Sequence, residues 1–424
     1  MSGKKASLLP ILLVNFIGTL GYSIVLPFLV KLVIDFGGNQ VIYGFLGATY
    51  SAFQLLGAPI LGKWSDVVGR RKVLLISQAG TFVAWTIFLV ALFLPLGPLA
   101  SYNLGLTGSF VLTLPLLLLF LARGLDGLTG GNVSVANAYL SDISTTADKK
   151  KNFGKMASAA SLGFIIGPAL AGVLGATSYG NVLPVITALL ISAIAMVTIY
   201  IMLQDVGKKD PGRDVRERFL RVFGHELKDC DKPDKVGIEL IWKIPHVPYL
   251  LALYFLVFLA FNFFYVSFPY HAYEYLNWEV LDLGIFFSVM SGMMIVVQGP
   301  VLSFLSNRFS SAQLFVVGTL ILIAGFLLFT RDSKTIVYIA ALTFAIGNGL
   351  MWPSYLAVLS KAAGKKLQGA VQGYATSAGS LASIIGLLAG GFLYQSLEQW
   401  IFVIPAVILG CIVLTANKLR KVGG

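Results

Sequence analysis

Apolar residues in this 424-residue chain gather in long uninterrupted runs, where a soluble protein would space them to cover one face of a helix or strand. About 20 mostly apolar residues are what a helix needs to cross roughly 30 Å of hydrocarbon. Twelve such runs predict twelve spans, near 8–34, 41–62, 73–97, 110–140, 153–178, 182–204, 248–272, 282–306, 312–330, 335–360, 368–394 and 397–417. The expected fold class is an all-α membrane protein with twelve transmembrane helices in two pseudo-symmetric six-helix bundles. The widest polar interruption follows span 6, which gives an N-terminal bundle over 1–204, a linker over 205–247 and a C-terminal bundle over 248–424. Within the linker, Val215, Phe219, Leu220, Val222, Phe223 and Leu227 are scattered as in an amphipathic surface helix, and a solvated tether fits them equally well.

The two halves repeat each other. The string G-K-M-A-S-A-A-S-L-G-F-I-I-G over 154–167 aligns without gaps on G-Y-A-T-S-A-G-S-L-A-S-I-I-G over 373–386, so span 5 recurs as span 11. Likewise Gly131-Asn132 with Tyr139-Leu140 in span 4 recurs as Gly347-Asn348 with Tyr355-Leu356 in span 10. A duplicated helical unit is the build of many secondary transporters.

Composition agrees with the runs: 57% of residues are hydrophobic and 12% charged, and the mean hydropathy is +0.83. A net charge of +12 could signal nucleic acid. The bases, however, fall in alternate short loops and at both ends: Lys4 and Lys5, Lys63 to Lys72, Lys149 to Lys151, Arg308, Lys361 to Lys366, and Lys418 to Lys421. By the positive-inside rule this is membrane topology, with both termini and the linker cytoplasmic, and a bacterial inner membrane is the expected location. Cys230 and Cys411, one in the linker and one in span 12, form no disulfide framework. No P-loop and no glycine-rich cofactor loop occurs, so neither an enzyme nor ATP-driven transport is expected, and no cofactor. His271 with Glu274 would make only part of a metal site, so no metal is expected, and an interfacial belt accounts for Tyr270, Tyr273, Tyr275 and Trp278.

Chemistry concentrates in a few places. The loop joining spans 2 and 3 contains Gly62, Asp66, Gly69, Arg70 and Arg71. Its glycines permit a tight turn, its carboxylate can cap a helix N-terminus, and its bases hold it in the cytoplasm. Here the chain resembles the major facilitator superfamily, whose corresponding loop reads G-x-x-x-D-R/K-x-G-R-R/K. Val67 departs from that pattern where the family often has a base. The loop over 299–308 keeps the glycine and Arg308 of a second copy but no acid. The resemblance implies a transporter with its substrate site at mid-membrane between two halves, and a cytoplasmic gate formed by the five loop residues. On that reading Asp66 caps span 11 near Gly369 to Gly373 when the inner side is shut.

Span 5 carries Gly163, Gly167, Pro168 and Gly172, a small-residue face suited to close helix packing. Packing alone explains it, and it also resembles the G-x-x-x-G-P-x-x-G-G signature of the drug:proton antiporter branch, with Ala171 replacing one glycine. In span 4, Arg123 and Asp126 are the only strong charges deep in an apolar run, three residues apart and so on one helix face. A self-satisfied ion pair is one reading. The other makes them the proton-coupling pair, with Asp126 taking and releasing a proton. Arg123 with Gly127 also resembles the family's R-x-x-x-G element, to which Asp126 is an addition.

Span 1, the stretch 42–78, the segment from Arg123 to Asp142, and the region from Phe268 to Gly284 resemble the tetracycline efflux proteins. Those place an acid in span 1 where this chain has Asn15, an amide that cannot titrate. The family fold lines its cavity with spans 1, 4, 7 and 10, which implies a wall of Asn15, Tyr22, Asn132, Asn137, Asn262, Tyr265, Asn348, Trp352 and Tyr355, joined by Gln54 and Gln298. Few of these are charged, which suits an amphipathic or aromatic substrate. The expectation is a monomeric, proton-coupled exporter of hydrophobic or amphipathic small molecules. Its partners are that substrate, protons and the lipid bilayer, with no nucleic acid. The alternative is a proton symporter or facilitator that imports an organic nutrient or moves a lipid-like substrate.

Overall fold

The computed structural model describes residues 7–105, 107–130, 132–145, 148–204, 242 and 244–416. The linker helix expected over 213–228 lies outside the described residues. In chain order the elements of the first part are α1 (Leu9–Ser23), α2 (Leu29–Asp35), α3 (Gln40–Val68), α4 (Arg70–Phe93), the strands β1 (Pro98–Leu104) and β2 (Gly108–Thr113), α5 (Leu114–Thr129), α6 (Asn132–Ile143), α7 (Lys149–Gly175) and α8 (Val182–Met202). Then come α9 (Val247–Glu274), α10 (Val280–Val296), a π turn over Val297–Val301, α11 (Leu302–Ser306), α12 (Ser311–Leu328), α13 (Lys334–Leu397), a 3-10 turn over Glu398–Phe402 and α14 (Val403–Thr415).

Among the described residues, nine helices are long and apolar enough to cross a membrane. Three features reconcile these with the twelve apolar runs. Span 1 breaks into α1 and α2 through turns around Pro27, leaving a first helix of 15 residues. Span 4 is interrupted after Gly130 and becomes α5 and α6. Spans 11 and 12 are joined through the 3-10 turn into one 45-residue stretch, Val371–Thr415. Spans 10 and 11 are themselves two arms of α13 that meet at Gly364, whose φ of 64° and ψ of 166° are not helical. The hairpin of β1 and β2 before α5 is an addition that hydropathy did not reveal.

The described residues divide into two compact units: one from Met1–Gly37, Thr49–Tyr102 and Phe110–Asp231, the other from Gly38–Ala48, Asn103–Ser109 and Lys232–Gly424. In the first unit α1 packs on α7 and α8, and α4 packs on α5 and α8. At the end that carries the 62–72 loop its core joins Ile11, Val14, Leu61, Val73, Leu74, Tyr139, Leu140 and Met156. The end of α5 is held from α4, where the Ser77 hydroxyl donates to the Thr129 carbonyl. α5 starts at Thr113, whose hydroxyl accepts from the Leu116 N–H at 3.3 Å, with Pro115 in the first turn, where its missing N–H has no helical partner to lose.

In the second unit α13 packs on α9 and α12, and α14 on α12. Its centre is aromatic: Phe264 stacks on Phe268 at 5.2 Å and on Phe344 at 5.0 Å, and Phe268 on Phe286 at 4.3 Å. Outward-facing positions are apolar as well, with Leu414 82%, Ile201 72% and Phe93 70% exposed. Charged Arg123 is 6% exposed, so apolar residues occupy both the core and the outer surface while a charge lies inside, as a hydrocarbon surrounding requires.

Candidate functional site

The first unit contains a cavity of about 250 Å³ that draws polar groups from five helices and an aromatic ring from a sixth. Asn15 and Tyr22 come from α1, Tyr50 and Gln54 from α3, Gln78, Thr81 and Trp85 from α4, Asp126 from α5, Phe164 from α7 and Ser192 from α8. They interrupt otherwise apolar helices, and several are held by partners across the bundle, others within their own helix. The Asn15 amide donates to the Met156 carbonyl at 2.9 Å. Gln78 donates to the Ser192 hydroxyl at 2.7 Å, and Gln54 to the Tyr50 hydroxyl at 3.2 Å. The Tyr22 ring packs on Tyr50 at 5.6 Å and edge-on against Phe164 at 6.0 Å.

Asp126 is the only acid in this lining. Its Oδ1 accepts from the Thr81 hydroxyl at 3.0 Å, and its Oδ2 lies 3.8 Å from Arg123 Nη1. That separation is an ion pair without a hydrogen bond, so the guanidinium is not fully engaged. Instead it sits over the rings of Tyr50 at 5.5 Å and Phe88 at 5.8 Å, while its buried Nε has no hydrogen-bond partner. Burying an ion pair costs several kcal/mol of lost hydration, which the attraction between the two charges offsets; removing one charge strands the other. A carboxylate with this one loose charge partner, facing a polar cavity, is chemically equipped to exchange a proton.

The structure therefore brings Asn15, Tyr22, Gln54 and Asp126 to one cavity, with Arg123 just behind the acid. Asn137 is exposed and is not in that lining, and the side chain of Asn132 lies outside the described residues. Tyr50, Gln78, Thr81, Trp85 and Ser192, absent from the expected wall, lie in spans 2, 3 and 6, outside the four spans that the resemblance implies line the cavity. The signal was there: isolated polar residues in otherwise apolar spans 2, 3 and 6 need partners.

In the second unit, Asn262 donates to the Phe258 carbonyl at 2.8 Å and the Ser383 hydroxyl at 3.0 Å. The Asn348 amide reaches Met294 Sδ at 3.4 Å, and its Oδ1 is buried without a partner. Trp352 stacks on Tyr355 at 5.8 Å, and the buried Tyr355 hydroxyl donates to the Leu250 carbonyl at 2.5 Å. Tyr265 packs edge-on against Phe264 at 5.5 Å. Gln298 opens onto a groove with Ser303 and Ser306 beside the π turn.

The loop residues form a second polar centre in the first unit. Gly69, at φ 108° and ψ 141°, starts α4 in a backbone conformation that side-chain-bearing residues avoid. Arg70, thus aimed, meets Asp66 Oδ1 at 2.5 Å, Asp142 Oδ2 at 3.0 Å and the Ser65 hydroxyl at 2.6 Å. Ser65 in turn donates to the Gly62 carbonyl at 2.6 Å. Arg71 donates to the Tyr200 carbonyl with its guanidinium 5.4 Å from that ring. Asp142 and Ser65 were not foreseen as partners. The expected cap near Gly369 to Gly373 begins among residues whose side chains are not described.

The span 5 glycines lie against α1. A Cβ at Gly163 would stand 2.8 Å from the Leu20 nitrogen, and one at Gly167 would stand 2.0 Å from Ser23 Oγ. The Ser23 hydroxyl donates to the Gly163 carbonyl at 2.9 Å, a bond that only this close crossing permits. Pro168 lies within α7 and Gly172 in its last turns.

Residues 11–387 match the model of the Major Facilitator Superfamily. Tetracycline resistance protein, class D, from Salmonella ordonez is 24% identical over 417 residues, which cover 97% of this chain and 96% of that protein. Multidrug resistance protein 1 from Bacillus subtilis (strain 168) is 24% identical over 418 residues, covering 96% and 94%. Among solved structures, a D-xylose-proton symporter superposes with a TM-score of 0.73 at 14% identity, over 98% of this chain and 97% of that one. That likeness establishes the fold alone.

Proposed function

This chain belongs to the Major Facilitator Superfamily and is a multi-pass membrane transporter, and on that premise we propose that it exports hydrophobic or amphipathic small molecules in exchange for protons. The observation that carries the reading is the cavity carboxylate: Asp126 faces a chamber lined by amides, hydroxyls and aromatic rings, with Arg123 3.8 Å behind it. An acid so placed binds a proton or stands free as the chamber opens to one side or the other, and the rings and amides hold a mostly uncharged substrate. The similarity to tetracycline and multidrug resistance proteins supports export as the direction. In this reading 1–204 and 248–424 are the two moving parts of an alternating-access cycle, 205–247 is their tether, and the Asp66–Arg70–Asp142 network belongs to the cytoplasmic gate. The protein works as a monomer in the lipid of a bacterial inner membrane, with both termini in the cytoplasm, as the distribution of bases supports.

The test is transport of an amphipathic dye into proteoliposomes under an imposed pH gradient. Wild-type protein should follow the gradient, and Asp126→Asn should lower gradient-driven transport at least about tenfold, the loss of roughly 1.4 kcal/mol or more of coupling. A rate that ignores the gradient and survives the substitution overturns the reading. Asn15 favours a second one: the amide, tied to the Met156 carbonyl, leaves α1 without a proton carrier, as in a facilitator or a symporter using another route. Uptake that rises with an inward proton gradient would select it.

A further inference from the structure

The second unit holds a titratable cluster that the proposed exchange does not use. His271, in the last turn of α9, is 1% exposed. Its Nδ1 lies 2.9 Å from the Tyr394 hydroxyl on α13. Its Nε2 lies 3.2 Å from Asp332 Oδ1, in the connection between α12 and α13, yet off the line a hydrogen bond needs. The Asp332 side chain is 52% exposed, so the cluster runs from solvent into the protein.

The groups around the imidazole come from every element packed on it. Burial keeps the ring from water, and the carboxylates of Asp332 and, more weakly, Glu398 are the charges that face it. Glu398 opens the 3-10 turn at φ 46° and ψ −128°, a conformation L-residues rarely adopt. The Tyr275 ring stacks on the imidazole at 5.1 Å, and Phe402 closes it edge-on at 5.8 Å. Tyr270 and Glu274 flank it on α9, and Arg331 and Lys334 bracket Asp332.

A neutral imidazole has one N–H for these two neighbours. With the N–H on Nε2 the ring points it toward Asp332 while Nδ1 accepts from the Tyr394 hydroxyl; with it on Nδ1 the bare Nε2 lone pair is left against a carboxylate. The cation carries a donor on both nitrogens and sets a full positive charge 3.2 Å from the Asp332 carboxylate. We propose that His271, Asp332 and Tyr394 form a second proton-binding site, separate from Asp126, in which protonation of the imidazole ties the α12–α13 connection to α9 and to the end of α13. Protons enter through the exposed carboxylate of Asp332. The tie is strongest on the acidic side of the histidine titration and weakens on the alkaline side as the ring loses its charge. That this mouth faces the cell exterior rests on the orientation proposed above; the titration itself does not.

The chain has only 3 histidines, so ring-labelled histidine gives a resolvable NMR spectrum of the full-length protein in micelles, and the signal missing from His271→Gln is His271. The expected result is a signal that titrates between about pH 5 and 8 and whose midpoint moves by about half a unit or more in Asp332→Asn. A signal constant across that range, or a midpoint indifferent to Asp332→Asn, overturns the site. Asp332 is half-exposed, so its variant keeps the packing even where His271→Gln fails to fold. In proteoliposomes at a fixed gradient, the dependence of rate on pH at this face should flatten in both variants while gradient-driven transport persists. Profiles that coincide with wild type overturn the tie as a control of transport. Loss of coupling in Asp126→Asn alone bears on the exchange reading, and the NMR titration stands apart from it.

Discussion

At the scale of single residues, the crossing of α1 and α7 is the most demanding contact in the first unit. Gly167→Val would drive a branched side chain into Ser23 Oγ and the Leu20 carbonyl and is expected to destabilise the protein by about 1–3 kcal/mol, read as a lower midpoint of thermal unfolding in detergent. Thr81 makes a subtler case. Its hydroxyl is the hydrogen-bond donor to Asp126 Oδ1, so Thr81→Val should reduce gradient-driven transport several-fold, and Thr81→Ser, which keeps the donor, should restore it; equal rates in the two variants would remove Thr81 from the mechanism. At Arg70, a lysine keeps the charge and loses the fork that reaches Asp66, Asp142 and Ser65 together. Arg70→Lys should therefore behave as a loss-of-function variant in the same assay.

Elements depend on their ends. α4 can begin where it does because Gly69 takes φ 108°, and Gly69→Val should cost about 1–3 kcal/mol of backbone strain, seen as reduced thermal stability and loss of the aim of Arg70. The lengths of the helices were legible from apolar runs, because hydrocarbon thickness leaves little freedom in span length. Their interruptions were not. Pro27 and Gly130 lie inside apolar stretches, and whether such residues kink a helix or end it depends on partners far away in sequence, such as Ser77 at the Thr129 carbonyl. The hairpin before α5 was hidden for a similar reason: Val111 bonds back to the Gly37 carbonyl, a pairing no local pattern announces. Asp126 and Arg123 stood out in the sequence because a charge in an apolar run needs a partner, whether as a structural ion pair or as a proton site. Thr81, Gln78 and Ser192 did not, since a single hydroxyl or amide can be satisfied by its own helix.

For the whole molecule, the distribution of bases predicts orientation, and labelling can test it. In a Cys230→Ser, Cys411→Ser background, a cysteine replacing Ser101 in β1 should react with an impermeant maleimide on intact cells, whereas one replacing Lys63 should react only after permeabilisation. The reverse pattern would invert the topology and, with it, the side from which His271 receives its proton.

The two-piece construction of span 4 has a mechanical consequence. A continuous helix transmits a push along its axis, but α5 ends at Thr129 with Gly130 as its C-cap, and α6 is a separate helix from Asn132. α6 adjoins α1 and α7, neighbours that α5 does not share among the principal helix contacts. Asp126 therefore sits one turn from the end of its helix, beside a joint between two pieces of span 4 that have different neighbours, so the packing of the α6 arm is not carried to the acid along one rigid axis.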